Sequence, residues 1–196
     1  MSPLRLGIFG GTFDPIHTGH LAAARAALEA LKLDLVYFVP TWSSLAKQHS
    51  ASAQQRADMV QLAIADEPRF KLSRVDIDRG SPTFTIDTLR SFARLNPDAK
   101  LFFLLGVDAF ASIESWKNSL DLAGMAEFVV LSRPGYQFDE GSLPSAHEHT
   151  SLAIDALDIS STDVRNLIVN SGKYSDKVPP EVLKYIREHG LYREPA

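Results

Sequence analysis

Hydrophobic positions along the chain fall into short unbroken runs separated by stretches with helical spacing. Leu6-Gly7-Ile8-Phe9, Leu35 to Val39, Leu101 to Leu105 and Ala126 to Leu131 carry no alternating polar positions, the mark of strands buried on both faces. Phe70 to Ile77 alternates moderately and reads as a strand, and Leu152 to Leu157 as a last one. Between these runs the alanine-rich segment Leu21 to Leu31 reads as a helix. So does Ala53 to Glu67, with Ala57, Val60 and Ile64 on one face and Pro68 closing it. Ile86 to Leu95 is a third helix, stopped by Asn96-Pro97, and Val182, Leu183 and Ile186 mark a final one ended by Gly190. Strand, helix, strand at the start predicts a right-handed parallel crossover, so an α/β chain with its ligand at the carboxyl ends of the strands is expected.

The chemistry concentrates at the first such end, Gly10-Gly11-Thr12-Phe13-Asp14-Pro15-Ile16-His17-Thr18-Gly19-His20. Paired glycines let the backbone approach a ligand and leave N–H groups for an anion, and Asp14-Pro15 is turn chemistry. His17 and His20, three residues apart at a helix start, put both rings on one face of the first turn. A helix N-terminus carries unpaired N–H donors and partial positive charge, so phosphate is the expected occupant.

Further candidates follow in order. Thr41 to Ser52 is polar and carries Lys47 and His49, fitting either a substrate loop or a solvated surface loop. Thr83 and Thr85 are N-cap candidates for the third helix, and Asp108 follows the strand Leu101 to Leu105, where it could meet a ribose or cap a helix. Trp116 lies in the amphipathic region Phe110 to Leu122 and reads first as core. The segment Tyr136 to Thr150 reads as loop, with His147 and His149 solvated. Ser160 with Asp163 fits the S-x-x-D capping pattern, and Arg165 follows within the same turns. Such a pattern serves as a simple cap, while hydroxyls, N–H groups and a guanidinium together suit phosphate oxygens. Arg56 is expected to reach beyond the core face of its helix.

Composition narrows the class. With 196 residues, 45% of them hydrophobic, one sizeable core and a single domain, 1–196, are expected. A net charge of −4 with both signs interspersed marks neither a nucleic-acid surface nor a polybasic membrane patch. The absence of cysteine excludes disulfides, thiolate metal sites and a thiol nucleophile. Met1 to Leu6 leaves no room for a secretory signal before the first strand, and no apolar run approaches the roughly 20 residues of a membrane span. A cytoplasmic protein is expected.

The segment Gly10 to His20 resembles the signature of the nucleotidyltransferase superfamily, with His17-Thr18-Gly19-His20 as its T/H-x-G-H element. Ser81 to Leu89, Gly106-Val107-Asp108, Trp116, Arg133-Pro134-Gly135, Ile159-Ser160-Ser161-Thr162 with Arg165, and the ending Val182 to Tyr192 extend the likeness over nearly the whole chain. In this order they resemble the bacterial nicotinate-nucleotide adenylyltransferase family.

That resemblance implies a Rossmann-like, doubly wound parallel sheet of nucleotidyltransferase type, in which helices from about residue 160 complete an ATP site. It implies reaction of ATP with nicotinate mononucleotide to give deamido-NAD and pyrophosphate. His17, His20 and Arg165 take the catalytic positions, and Gly10, Gly11, Thr12, Phe13, Gly19, Asp108, Ser160, Ser161 and Thr162 surround ATP. Lys47, Thr85, Trp116 and Arg133 fall to the mononucleotide. Mg²⁺ is expected to arrive on the ATP phosphates, with no metal-ligand set of the protein's own. The family's Pro-Pro-His-Lys or Pro-Pro-His-Arg loop is Ser44-Leu45-Ala46-Lys47 here, which leaves open whether His49 replaces the missing histidine. Rival readings are transfer to nicotinamide mononucleotide, phosphopantetheine or glycerol phosphate, or nucleotide binding without catalysis.

Overall fold

The computed structural model describes residues 3–43, 50–132, 144, 147–154, 159–170 and 176–193. Its strands are β1 (Arg5–Gly11), β2 (Leu35–Pro40), β3 (Phe70–Leu72), β4 (Lys100–Gly106), β5 (Glu127–Ser132) and β6 (His149–Ala153). All pair in parallel, in the order β3-β2-β1-β4-β5-β6. The helices are α1 (Thr18–Ala30), α2 (Ala53–Ala63), α3 (Val75–Arg79), α4 (Thr85–Leu95), α5 (Val107–Ala111), α6 (Ser161–Asn170) and α7 (Pro180–Glu188). This is the parallel α/β sheet expected from the runs of apolar residues, in the doubly wound, Rossmann-like form that the family resemblance implies.

Strand order reverses at β1, because β2 lies on one side of it and β4 on the other. Side chains of each strand therefore feed two cores. Phe9, Phe38, Phe102 and Leu104 meet Leu28 of α1, Val60 of α2, Val164 of α6 and Val182 of α7 on the first face. Ile8, Leu101, Phe103 and Leu105 meet Ile86, Leu89 and Phe92 of α4 on the second. A crevice at the carboxyl ends of β1 and β4 is the geometric result.

Several boundaries differ from the sequence reading. The first helix begins at Thr18, not Leu21, because His17 is its N-cap. Helix α2 stops at Ala63, short of the predicted Glu67. Only Phe70–Leu72 of the predicted strand Phe70 to Ile77 is strand, and Val75–Arg79 is helical. The cause is Asp76, buried at 2% exposure, which accepts the Thr88 hydroxyl at 2.8 and 2.9 Å and pairs with Arg79 at 3.0 Å. A helical turn brings Arg79 round to Asp76, whereas a strand would point it to the other face.

The last strand also lies earlier than predicted, at His149–Ala153, with residues 155–157 of the predicted span outside the described residues. His149 and His147 are consequently not solvated as expected. His147 is buried at 3% exposure, and the His149 ring packs 4.5 Å from Phe110. Neither threonine caps α4, whose N-cap is Phe84 without a side-chain hydrogen bond. Thr83 instead accepts the Trp42 N–H at 3.0 Å and donates its own N–H to the Ser43 carbonyl at 3.1 Å, fastening the loop after β2 to the start of α4.

Candidate active site

A cavity of about 590 Å³ opens at the carboxyl ends of β1 and β4. Its floor is the chain leaving β1, Gly10 through Asp14, and its walls are the start of α1, with His17, Gly19 and His20, and the start of α6, with Ser160, Ser161, Thr162 and Arg165. Gly106 and Asp108, where β4 turns into α5, form the opposite rim. Every residue the sequence reading set around ATP lines this cavity.

Close packing explains the glycines. A Cβ on Gly11 would lie 2.8 Å from the Phe13 ring, which folds back beneath it from a backbone at φ +50°. A Cβ on Gly19 would lie 3.0 Å from the His17 ring, and one on Gly10 would lie 3.2 Å from Phe103. The glycines thus admit the protein's own rings as well as leaving the main chain open to a ligand.

The imidazoles are held from several sides. His17 is buried at 4% exposure, and its ring stacks on His20. The edges of Phe9 and Phe13 back the His20 ring, with centroids 6.0 and 5.1 Å away. The two helix starts are tied together as well. Ser160 caps α6 in a reciprocal box with Asp163, through contacts of 2.9, 2.6 and 3.1 Å. Its hydroxyl is therefore committed to the cap. Ser161 donates its hydroxyl to the Pro15 carbonyl at 2.9 Å, and Arg165 donates to the Asp14 carbonyl at 2.7 Å and to the Thr162 hydroxyl at 3.1 Å. Thr162, accepting from Arg165, keeps its O–H as a donor at the cavity rim.

Of the residues expected at the mononucleotide, the two described ones, Thr85 and Trp116, do not line this cavity. Thr85 is the first residue of α4, and Trp116 lies half-buried on the second face of the sheet. The Trp116 ring meets the edge of Phe103 with centroids 6.4 Å apart, and its indole N–H donates to the Ser112 hydroxyl at 3.2 Å. Lys117, its neighbour, sits 4.4 Å over the Phe84 ring and 3.3 Å from Asp87, so the Trp116 turn is bound to the start of α4. Gly10, between the cavity and Phe103, stands at the junction of the two regions. Lys47, His49 and Arg133 lie outside the described residues.

Sequence reasoning missed a buried polar group behind the cavity floor. Arg56 does not reach outward: it is fully buried and donates to four main-chain carbonyls. Burial lowers its pKa, and the nearby Asp14 opposes that shift. Asp14 accepts the N–H groups of Ser50 and Ala51 at 2.8 and 3.1 Å and the Tyr192 hydroxyl at 2.7 Å. Burial, then Asp14, pushes the Tyr192 hydroxyl well above the ordinary phenol range. The overlooked signal was Arg56 standing three and four positions before Met59 and Val60, on the apolar side of its helix.

Comparison with known proteins defines the class first: residues 8–167 match the cytidylyltransferase-like family, to which the chain belongs. Among curated proteins it is 47% identical to a "Probable nicotinate-nucleotide adenylyltransferase" of Clavibacter michiganensis, over 98% of this chain and 96% of that one. It is 43% identical to a protein of the same description from Thermus thermophilus, over 97% and 100% of the two chains. Within the wider class, then, the chain is a member of the nicotinate-nucleotide adenylyltransferase family. The fold is also that of Plasmodium falciparum nicotinic acid mononucleotide adenylyltransferase complexed with NaAD, at a TM-score of 0.81 and 22% identity, covering 96% of this chain and 97% of that one.

Proposed function

We propose that this protein transfers the adenylyl group of ATP to nicotinate mononucleotide, forming deamido-NAD and pyrophosphate in NAD biosynthesis. The observation that carries the reading is the convergence, in one cavity, of the glycine loop after β1, two imidazoles and the start of α6 with Arg165. Near-full-length identity to relatives of that description supports the choice of substrates.

In this reaction a phosphate oxygen of the mononucleotide attacks the α-phosphorus of ATP. A new P–O bond forms there, the bond to the β-bridging oxygen breaks, and pyrophosphate leaves with that electron pair. The nucleophile is already an anion, so the rate rests on aligning two nucleotides and stabilising charge on the leaving group. His17 and His20 donate to ATP phosphates, and Thr162 and Arg165 receive the departing β and γ groups. Ser161 works by holding α6 to the loop at Pro15, and Ser160 by capping that helix. Gly10, Gly11, Thr12, Phe13 and Gly19 shape the floor, Asp108 accepts from a ribose, and Thr85 and Trp116 frame the nicotinate ring, with Lys47 and Arg133 on the same substrate.

Mg²⁺ enters as part of the ATP substrate. Among the described residues, no three acidic, histidine or cysteine side chains converge to hold a metal ion, and a cation bound through triphosphate oxygens fits that donor set. It lessens the negative charge that the attacking phosphate must approach. A single domain, 1–196, is supported by the first-face core that α6 and α7 share with β1 and α1. Both substrates are water-soluble and no described helix is long and apolar enough to cross a membrane, which suits a cytoplasmic enzyme.

The test is pyrophosphate release from ATP with each acceptor in turn. Nicotinate mononucleotide should be fastest, ahead of nicotinamide mononucleotide, phosphopantetheine and glycerol phosphate. Release with none of them leaves a binding module, and faster release with another acceptor reassigns the substrate.

A further inference from the structure

Two segments leave the sheet at the ends of neighbouring strands, one after β1 (residues 12–17) and one after β2, of which residues 41–43 and 50–52 are described. Carbonyls of both segments, Thr12 on one and Thr41, Trp42 and Ala51 on the other, come within reach of one side chain, and buried carbonyls need donors. Arg56 supplies them from α2. Its Nη1 donates to Thr12 at 2.6 Å, its Nη2 to Thr41 and Trp42 at 2.7 and 3.0 Å, and its Nε to Ala51 at 3.3 Å. Only a planar fork of five N–H donors reaches three chain segments at once, and lysine's single ammonium centre does not.

Asp14 completes the joint from the opposite loop. Its carboxylate accepts the N–H groups of Ser50 and Ala51, near the end of the loop after β2, while its main-chain carbonyl accepts from Arg165 at the cavity. One buried cation and one buried carboxylate thus balance each other while each spans both loops.

We propose that Arg56 is a positioning residue, fixing the glycine loop against the loop after β2 so that two nucleotides bound on those loops meet in line. The inference rests on the two-substrate transfer proposed above. Arg56 is fully buried and does not line the cavity, so its removal should leave each nucleotide's separate binding nearly intact and spoil their alignment. A misplacement of about 1 Å in such a reaction lowers the rate by roughly 100-fold.

The experiment compares the full-length wild type with Arg56→Lys and Arg56→Gln. ATP and nicotinate mononucleotide are titrated separately by calorimetry, kcat is measured by pyrophosphate release, and the folded fraction is read by circular dichroism at the assay temperature. The expected result is a folded variant with each Kd within about threefold of wild type and kcat lower by roughly 100-fold. Wild-type kcat in a folded variant overturns the proposal, as does a kcat loss that only tracks the unfolded fraction. Failure of both variants to fold makes Arg56 a core residue alone and overturns it too. A wild-type protein that releases no pyrophosphate instead refutes the transfer reaction itself, a result separable from all of these.

Discussion

His17 and His20 stack with ring centroids 3.7 Å apart and planes inclined by 29°, and Nδ1 of His20 accepts the His17 N–H at 3.3 Å. That acceptor role leaves the proton of the neutral His20 ring on Nε2, as a donor. One residue thus closes the helix start through one nitrogen and lines the cavity with the same ring.

For that reason His20→Ala should separate catalysis from stability. Its bond to the His17 N–H is long and the ring only half-buried, so the melting temperature should change little. Loss of one preorganised donor should lower kcat by about 10²- to 10³-fold. Pyrophosphate release and a thermal melt on the same preparation check this; a large loss of stability with normal turnover would make His20 structural.

Gly11→Ala should act through packing. The added methyl would lie 2.8 Å from Cζ of Phe13, and that ring cannot retreat, being wedged 5.7 Å from both Phe9 and Phe38 and 5.1 Å from His20. Overpacking of this kind costs about 1 to 3 kcal/mol. Urea denaturation should show a lower midpoint, and activity should fall because the same ring backs His20. An unchanged midpoint would show that the loop after β1 yields freely.

Much of this architecture was legible in the chain. Leu101 to Leu105 and its fellow runs gave the buried strands because a strand covered on both faces has no polar alternation to obscure it. Gly10 to His20 gave the cavity because the segment is contiguous in sequence. Contacts between distant residues were harder to read. Arg56 looked like an outward-facing helix residue, since nothing local reveals four carbonyls arriving from residues 12, 41, 42 and 51. Asp76 likewise hid a helical turn, because its partner Thr88 sits on α4. Thr83 had the chemistry of a cap, and the loop after β2 claimed its hydroxyl first.

Alkaline pH should expose the Tyr192 contact. The folded-state pKa of Tyr192 is raised above its ordinary value of 10.0 by burial and Asp14, and that of Tyr185 is pushed up to about 12 by burial and its bond to Asp58. Below pH 10 both states keep their phenol protons and this stability is complete. As pH rises past 10 the unfolded chain releases protons that the folded one retains, so stability falls, by about 1.4 kcal/mol per pH unit for each fully differing proton. Denaturation at pH 9, 10 and 11 should show that decline, and Tyr192→Phe should flatten it. An equal slope in wild type and variant would mean that Tyr192 ionises alike in both states.

Trp116→Ala should discriminate between the two nucleotides. The cavity proposed for ATP belongs to the face of Phe9, Phe13 and Leu131, whereas Trp116 stands on the other face against Phe103, beside the start of α4. Removing the indole leaves the cavity walls in place and takes away a half-buried ring able to stack on a pyridine. A lost stacking contact of about 1 to 3 kcal/mol should weaken nicotinate mononucleotide by roughly tenfold or more. ATP affinity should move by less than about threefold, a difference under roughly 0.7 kcal/mol. Separate calorimetric titrations of each nucleotide decide the matter. If both affinities fall together with the melting temperature, the indole serves the Phe103 core, and the acceptor ring must find its platform elsewhere on the second face.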